Sequence, residues 1–529
     1  MMRHHISIFI TIIAAFMLMS CSANDAPDNR KISDDAPIIR LMDADARGLD
    51  PQIMSDLSSV RVAMDQFEGL TRYDENGHVI LGLAKKMQVS ADGLIWHFTL
   101  REGVQFSDGQ KIMAAHFARG FARIMDEKSA SPHRALFGII KSVEPQGADQ
   151  IVIKLYQPFP ALPQLLAHPA MAALPFHRID AVGDKWTQDR PMVGSGPYIL
   201  SSWQLNQKLS LVINPQYHGS RPKNNGVDWT PSDNKQTAMR RILARQADIS
   251  GDYPESRQEW LQKNYPQLVR ISPYIGSYYF VFNLRKTPFN DARVRRALSM
   301  AVNRQWMSEK MLGGNGANIS NQPAYGVVPP SLYDGAAYRP YWANWPMEMR
   351  RTEARKLLSA AGYGPNNPLS FDIRYNSSSE HRRAAVAMAT MWRDIGVDAK
   401  NLNSEASLHF DMLRRGDFAL ARSGWIADYA APENFLAIHQ TTSGSQNYTG
   451  YNNPAFVNAL EMAVAEGNEK KRMAAMQYAE KIMMDDNIVI PLYFYISRAL
   501  VQPYIRGYED NPANIHPSQF IWRTKEAMK

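Results

Sequence analysis

Ser90-Ala91-Asp92-Gly93-Leu94-Ile95-Trp96-His97-Phe98-Thr99-Leu100-Arg101-Glu102-Gly103-Val104-Gln105-Phe106-Ser107-Asp108-Gly109 is the run from which the rest of this chain takes its bearings. Asp92-Gly93 is a tight-turn dipeptide. Trp96, Phe98 and Leu100 then alternate with polar neighbours, the period-two pattern of a half-buried strand. Gly103 to Gly109 reads as a second strand and turn. Helical spacing follows from about Met113 to Met125.

Working outward, Ile38-Ile39-Arg40-Leu41 reads as a strand that Leu49-Asp50-Pro51 breaks. Val60 to Gly69 carries helical spacing through Val62, Met64 and Phe67. Gly194 and Gly196 in Val193-Gly194-Ser195-Gly196-Pro197-Tyr198 suit a turn with positive φ, and Pro197 pre-sets its bend. Gly276 to Asn283 reads as a buried strand. Asn290 or Asp291 caps the helix after it, whose Val294, Ala297, Leu298, Ala301 and Val302 fall on one face. Ala384, Ala385, Met388, Met391, Trp392 and Ile395 form another amphipathic helix. Phe418-Ala419-Leu420-Ala421 predicts a short buried strand entering a loop, Ser423-Gly424-Trp425-Ile426-Ala427-Asp428-Tyr429.

Several motifs are similar to those of the family 5 solute-binding proteins, extracytoplasmic receptors of ABC importers for peptides and some metals. They are Trp96-x-Phe98-x-Leu100-Arg101-x-Gly103-Val104-x-Phe106-Ser107-Asp108-Gly109, then Gly194-x-Gly196-Pro197-Tyr198, then Pro288-Phe289-Asn290-Asp291-x-Arg293-Val294-Arg295. Ile490-Pro491-Leu492-Tyr493 and Val501-x-Pro503-x-Ile505-x-Gly507-Tyr508 complete the series. Ala115-His116 departs from the pattern, where the family has acidic residues opening the helix. Tyr325-Gly326-x-x-Pro329-Pro330, Tyr375 to His381, and Arg422-x-Gly424-Trp425-x-Ala427-Asp428-Tyr429 resemble the oligopeptide-binding members in particular.

The resemblance implies an α/β fold of the type II periplasmic-binding kind, with two α/β clamp lobes and an additional side domain. Lobe I is expected from residues 38–67, 185–276 and 496–529, lobe II from 68–184, and lobe III, which clamps the ligand, from 277–495. It also implies a non-catalytic monomer that captures short peptides, closes on them, and delivers them to a membrane permease whose ATPase subunits are other chains.

Asp428 is a lone carboxylate among aromatic and small apolar residues, with no Lys or Arg within five positions. Its partner is therefore distant in the chain or belongs to a ligand, because a desolvated carboxylate is unstable uncompensated. An Asp bracing the next loop is the plain alternative. The resemblance assigns Asp428 to the peptide ammonium and gives Gly424 and Ile426 the role of strand-pairing backbone. It offers Arg422 and His381 for the ligand carboxylate, His381 serving best when protonated or bridged by water. Trp425 is expected to wall a side-chain pocket. Arg422 in an ion pair, His381 as a solvated helix start and Trp425 as core are the competing readings.

Arg3 followed by the apolar run Ile6 to Met19 reads as a signal peptide, too short for a bilayer span of about 20 residues. It ends in Leu18-Met19-Ser20-Cys21, which resembles a lipobox, so residues 1–21 are expected to be a lipoprotein signal and Cys21 the lipidated residue. Ser22 after it favours an outer-membrane anchor facing the periplasm. Residues 22–37 read as a flexible tether. Cys21 is the one cysteine, so no disulfide forms within the chain. The net charge of +8 comes from scattered basic pairs rather than a stripe interleaved with aromatics, which argues against nucleic acid. No metalloprotease, nucleophile-elbow, phosphate-loop or dinucleotide motif occurs, and the thirteen histidines lack ligand spacing, so neither metal nor cofactor is expected. The alternatives within the binding class are a dipeptide, a murein peptide, or a nickel or haem complex. An exported hydrolase and a non-transport chaperone lipoprotein are the readings from other classes.

Overall fold

In a computed structural model of the chain, residues 36–311, 323–333 and 337–524 are described. The expected signal segment with Cys21, nearly all of the tether, and most of the loop from Asn315 to Tyr325 lie outside them.

The Trp96, Phe98 and Leu100 stripe forms as its alternation predicts. It lies on β5 (Ile95–Leu100), in a four-stranded antiparallel sheet with β4 (Ala84–Val89), β6 (Ile140–Gln146) and β7 (Gln150–Leu155), in the order β4-β5-β7-β6. All three side chains are buried against Phe117, Phe121 and Ile124 of the helix Ala114–Met125. The neighbouring segment differs from expectation. Gly103 to Gly109 makes only a single bridge, Gln105 to Lys111. The Asp108-Gly109 turn folds it back on itself, with Phe106 N–H donating to Gln110 O (2.8 Å) and Ile112 N–H to Val104 O (3.0 Å). Val104 and Phe106 are still buried, so the alternation recorded burial without a partner strand.

A ten-stranded mixed sheet forms the rest of the frame. Its strands are β1 (Ile38–Met42), β8 (Tyr198–Gln204), β9 (Lys208–Ile213), β10 (Val227–Pro231), β11 (Ile249–Ser250), β12 (Val269–Phe282), β13 (Leu369–Asn376), β14 (Val397–Ser404), β15 (Leu420–Ile426) and β16 (Val489–Val501). Two short hairpins stand apart, β2 (Thr71–Tyr73) with β3 (Val79–Leu81), and β17 (Ile505–Arg506) with β18 (Trp522–Arg523). The order of the large sheet is β14-β13-β15-β12-β16-β11-β1-β10-β9-β8. The two long strands β12 and β16 pair with each other along its middle, and their register shifts between Pro273 and Ser277. Pro273 has no N–H to give the ladder, which suits such an irregularity. Beyond it β12 pairs with β15 on its other side, from Gly276 opposite Ile426 to Phe282 opposite Leu420.

Asp291 caps the helix Ala292–Met300, its side chain accepting from Arg293 N–H at 2.8 Å, and Val294, Ala297 and Leu298 are fully buried. Ser378 caps the helix Ser379–Arg393, which buries Ala384, Ala385, Met388 and Trp392. The expected helix over 60–69 lies earlier, at Leu57–Gln66, because Asp56 caps it by accepting from Ser59 N–H and Oγ. Its exit explains Gly194 and Gly196. Neither has a positive φ. Both are glycine because their backbone presses on the helix end: Gly196 N–H donates to Gln66 O (2.8 Å). A Cβ on Gly194 would lie 2.4 Å from that oxygen, and one on Gly196 2.6 Å from Gln66 C. Among the described residues no helix is long and apolar enough to cross a membrane.

Candidate functional site

The run Ser423 to Ile426 is strand rather than the expected loop, because β12 pairs with it throughout. Ala427 N–H donates to Ile275 O at 3.0 Å. Since neighbouring residues of a strand turn their backbone groups to opposite edges, Gly424 and Ile426 direct theirs away from β12. Arg422 O, on that same far edge, is taken by His409 Nε2 at 2.9 Å. β13 pairs with β15 only through Leu420 and Ala421. Among the described residues, no strand pairs with Gly424 or Ile426 on this edge.

Past the strand end, Ile426, Ala427 and Asp428 reach the wall of a cavity of about 380 Å³. Its opposite walls come from β1, the helix Leu57–Gln66, Tyr73, Tyr274 and the segment from Tyr508 to Pro517. Asn434 holds the site's backbone: its Oδ1 accepts from Trp425 Nε1 (2.6 Å) and from Asp428 N–H (3.2 Å). Asp428 is exposed to the cavity, yet the protein around it crowds its carboxyl. This crowding pushes its carboxyl up to about 6, against the hydrogen bond from Asn434. No described cation pairs with it. Burial, with the Asp428 charge added, likewise pushes the Tyr73 hydroxyl up to about 12.

Arg422 and His381 sit elsewhere, in an aromatic cluster that does not line this cavity. The Arg422 guanidinium lies over the Tyr278 ring at 4.8 Å and donates to Tyr495 OH at 2.9 Å, while its Nε has no partner. It forms no ion pair with a described carboxylate, contrary to the plain structural reading. His381 Nδ1 lies 3.0 Å from Tyr278 OH. Burial, aided by the Arg422 charge, pushes its imidazole down to about 3. That direction disfavours the protonated form of His381 and leaves a water bridge as the remaining way for it to serve a carboxylate. Nor is it a solvated helix start.

Trp425 walls a separate recess of about 100 Å³ with Tyr279, Ser423, His439 and Tyr448. His439 is buried there, its imidazole pushed down to about 4 by desolvation, and neither ring nitrogen has a partner. Tyr73, Asn434 and His439 escaped the sequence reading. Tyr73 comes from a distant hairpin, Asn434 and His439 from the turn of helix just after Asp428, and none stands in a motif. Among the described residues no three His, Cys, Asp or Glu side chains are grouped to hold a metal ion.

The model of the bacterial extracellular solute-binding proteins, family 5 (middle), matches residues 78–447. The periplasmic oligopeptide-binding protein OppA of Salmonella typhimurium is 32% identical over 521 residues, covering 95% of this chain and 94% of that protein. The periplasmic murein peptide-binding protein MppA of Escherichia coli is 31% identical over 544 residues, covering 99% and 100%. Its solved structure superposes with a TM-score of 0.81 over 94% of this chain and 100% of that one. The structure of Haemophilus influenzae OppA in complex with RPPGFSPFR gives 0.80 at 27% identity, over 93% and 100%. The architecture is thus the mixed α/β, type II periplasmic-binding fold.

Proposed function

The chain belongs to the family 5 bacterial extracellular solute-binding proteins, and on that premise we propose that it is the periplasmic receptor that captures short peptides for an ABC importer. The observation that carries the reading is Asp428: a carboxylate without a cation, on a cavity wall, beside the unpaired strand edge of Gly424 and Ile426.

Each part answers a group that every peptide shares. The ligand ammonium meets Asp428, restoring the charge balance that burial denies it. The ligand backbone adds to the free edge of β15 as an extra strand, taking the N–H and C=O of Gly424 and Ile426. Arg422, a guanidinium lacking a carboxylate, serves the far end of a longer ligand, and neutral His381 contributes a hydrogen bond at most. Side chains fall into recesses such as the one Trp425 walls.

Binding and release need no chemistry on the ligand, so the chain works without catalysis, metal or cofactor. Lobe I (38–67, 185–276, 496–529) and lobe III (277–495) close on the peptide, lobe II (68–184) stands to the side, and ligand contacts made only in the closed form drive closure. The loaded monomer then docks on the permease. Cys21 carries the lipid that tethers it to the membrane, the outer membrane where the cell has one.

Native mass spectrometry of the protein lacking residues 1–21, purified from cells, tests this. Co-purifying masses that fragment as peptides of mixed sequence, and that vanish in Asp428→Ala, are expected. Removing one partner of such a buried charge pair costs on the order of 3–5 kcal/mol, hundreds-fold or more in affinity. A single non-peptide mass, or peptides retained undiminished by Asp428→Ala, would overturn the reading.

A further inference from the structure

The cavity that Asp428 lines carries a second charge. Arg61, on the helix Leu57–Gln66, forms part of the wall and is half-buried. Its guanidinium rests against the backbone of Gly251, close enough that a Cβ there would lie 3.2 Å from Nη1. No described carboxylate lies within ion-pair distance of it.

The other described ionisable groups of this wall have a nearby counter-charge or are uncharged. Arg40 donates to His516 O and to Ser518 Oγ, both at 2.7 Å, and has Asp65 as a nearby counter-charge, although its Nε has no partner. Asp65 accepts from Ser518 N–H (3.0 Å), Ser518 Oγ (2.6 Å) and Trp229 Nε1 (3.2 Å). Burial holds His133, His168 and His516 below their ordinary range and therefore neutral. Among the described residues of this wall, Arg61 and Asp428 are the charges left without a counter-charge. They do not satisfy each other: burial and Asn434 govern the Asp428 carboxyl, and Arg61 exerts no resolved influence on it. Two opposite charges thus face one cavity of small-ligand size without pairing.

We propose that Arg61 is an anion subsite of this cavity, taking a carboxylate of the same ligand whose ammonium meets Asp428. A guanidinium grips a carboxylate with two parallel hydrogen bonds, and in a crowded cavity each ligand charge left unmatched is costly. The cargo preferred here is therefore a peptide with a carboxylate close to its amino terminus. That carboxylate is either the C-terminus of a very short peptide or an acidic side chain near the start of a longer one. The inference rests on the ammonium role of Asp428.

Isothermal titration with defined tripeptides separates the two ideas and the two carboxylate sources. The panel is Ala-Ala-Ala, its C-terminal amide, and three amidated tripeptides with one Glu at position 1, 2 or 3, each beside its Gln counterpart. The wild type is expected to bind at least one acid-bearing member about ten-fold or more tighter than its neutral counterpart. A preference for Ala-Ala-Ala over its amide identifies the C-terminus, and a Glu-over-Gln preference identifies the side chain. Arg61→Gln is expected to bring that ratio to about one while the neutral peptide binds as before, and Arg61→Lys to keep part of it. If the wild type shows no acid preference, the subsite is refuted. It is refuted alone if Asp428→Asn abolishes binding while Arg61→Gln leaves the preference intact. Wild-type affinity in Asp428→Asn, or no binding of any member by the native protein, sinks the ammonium reading and the subsite together.

Discussion

Asp428 differs from an ordinary surface carboxylate in being crowded by protein while open to the cavity, with no described counter-charge, and that gives the ligand-free protein a distinct pH response. Its carboxyl rises from 3.8 to about 6. Because the folded state holds the proton more tightly than the unfolded chain, the stabilising contribution is full below about pH 3.8 and lost as pH rises through about 6. Asp428→Asn, neutral at every pH, is therefore expected to raise the ligand-free melting temperature relative to wild type at pH 7.5 and to leave it level near pH 3.5. Scanning calorimetry at both values checks this, and equal shifts at the two would remove the titration from the account. A bound ammonium reverses the sign: peptide affinity weakens as pH falls through the same region. Asp428 stood out on the page because its neighbours lack cations. Arg422 stood out too, but its neighbours Tyr278 and Tyr495 come from β12 and β16, so its surroundings were invisible in its own segment.

At the scale of elements, strand and helix periodicity located most of the frame, and the misses share one cause. Gly103 to Gly109 alternates like a strand yet has no strand beside it, while Ser423 to Ile426 looks like a loop and is strand because β12 lies alongside. Pairing is a property of two segments, and alternation reports only one of them. Gly194 and Gly196 teach the same lesson for turns: the residue type was legible, but its reason was the approach of Gln66 rather than φ. Gly196→Ala forces a methyl into that backbone. An overpacked contact of this kind costs about 1–3 kcal/mol, and the expected result is a lower denaturant midpoint with unchanged slope. An unaltered midpoint would mean that the crossing relaxes freely.

Across the whole molecule, β12 and β16 hold the two ends of the large sheet together, and a cluster of charges sits where those ends meet. Glu380 opens the helix that follows β13, and Glu255 follows β11. Arg498 of β16 and Arg383 both pair with Glu255, at 2.9 and 3.1 Å. Burial, then Glu255, pushes the Glu380 carboxyl up. Burial acts on Glu255 in the same sense, but Arg498 and the Glu380 hydrogen bond outweigh it and hold that carboxyl down. A hydrogen bond between two carboxyls requires a proton on one of them, and the directions of the two shifts give that shared proton to Glu380. The contribution from Glu380 is present below its ordinary 4.5 and lost as pH rises through its raised value, when two adjacent charges face each other. Glu380→Gln keeps a hydrogen-bond donor without the charge, so its stability is expected to exceed that of wild type increasingly as pH rises above 4.5. Denaturant melts from pH 4 to pH 8 measure it, and parallel wild-type and variant curves would refute the shared proton.

The sequence alone determined the family, the strand of Trp96, Phe98 and Leu100, the helix capped at Asn290 or Asp291, the amphipathic helix of Ala384 to Ile395, and Asp428 as the carboxylate to watch. These are local matters, set by period, turn chemistry and the charges nearby in the chain. The tertiary structure decided which edge of β15 is left free, that His381 is neutral, that Arg422 lies apart from Asp428, and that Arg61 shares its cavity. Each depends on segments far apart in the chain meeting in space. Burial and unpaired charge belong to that meeting and are written in no single stretch.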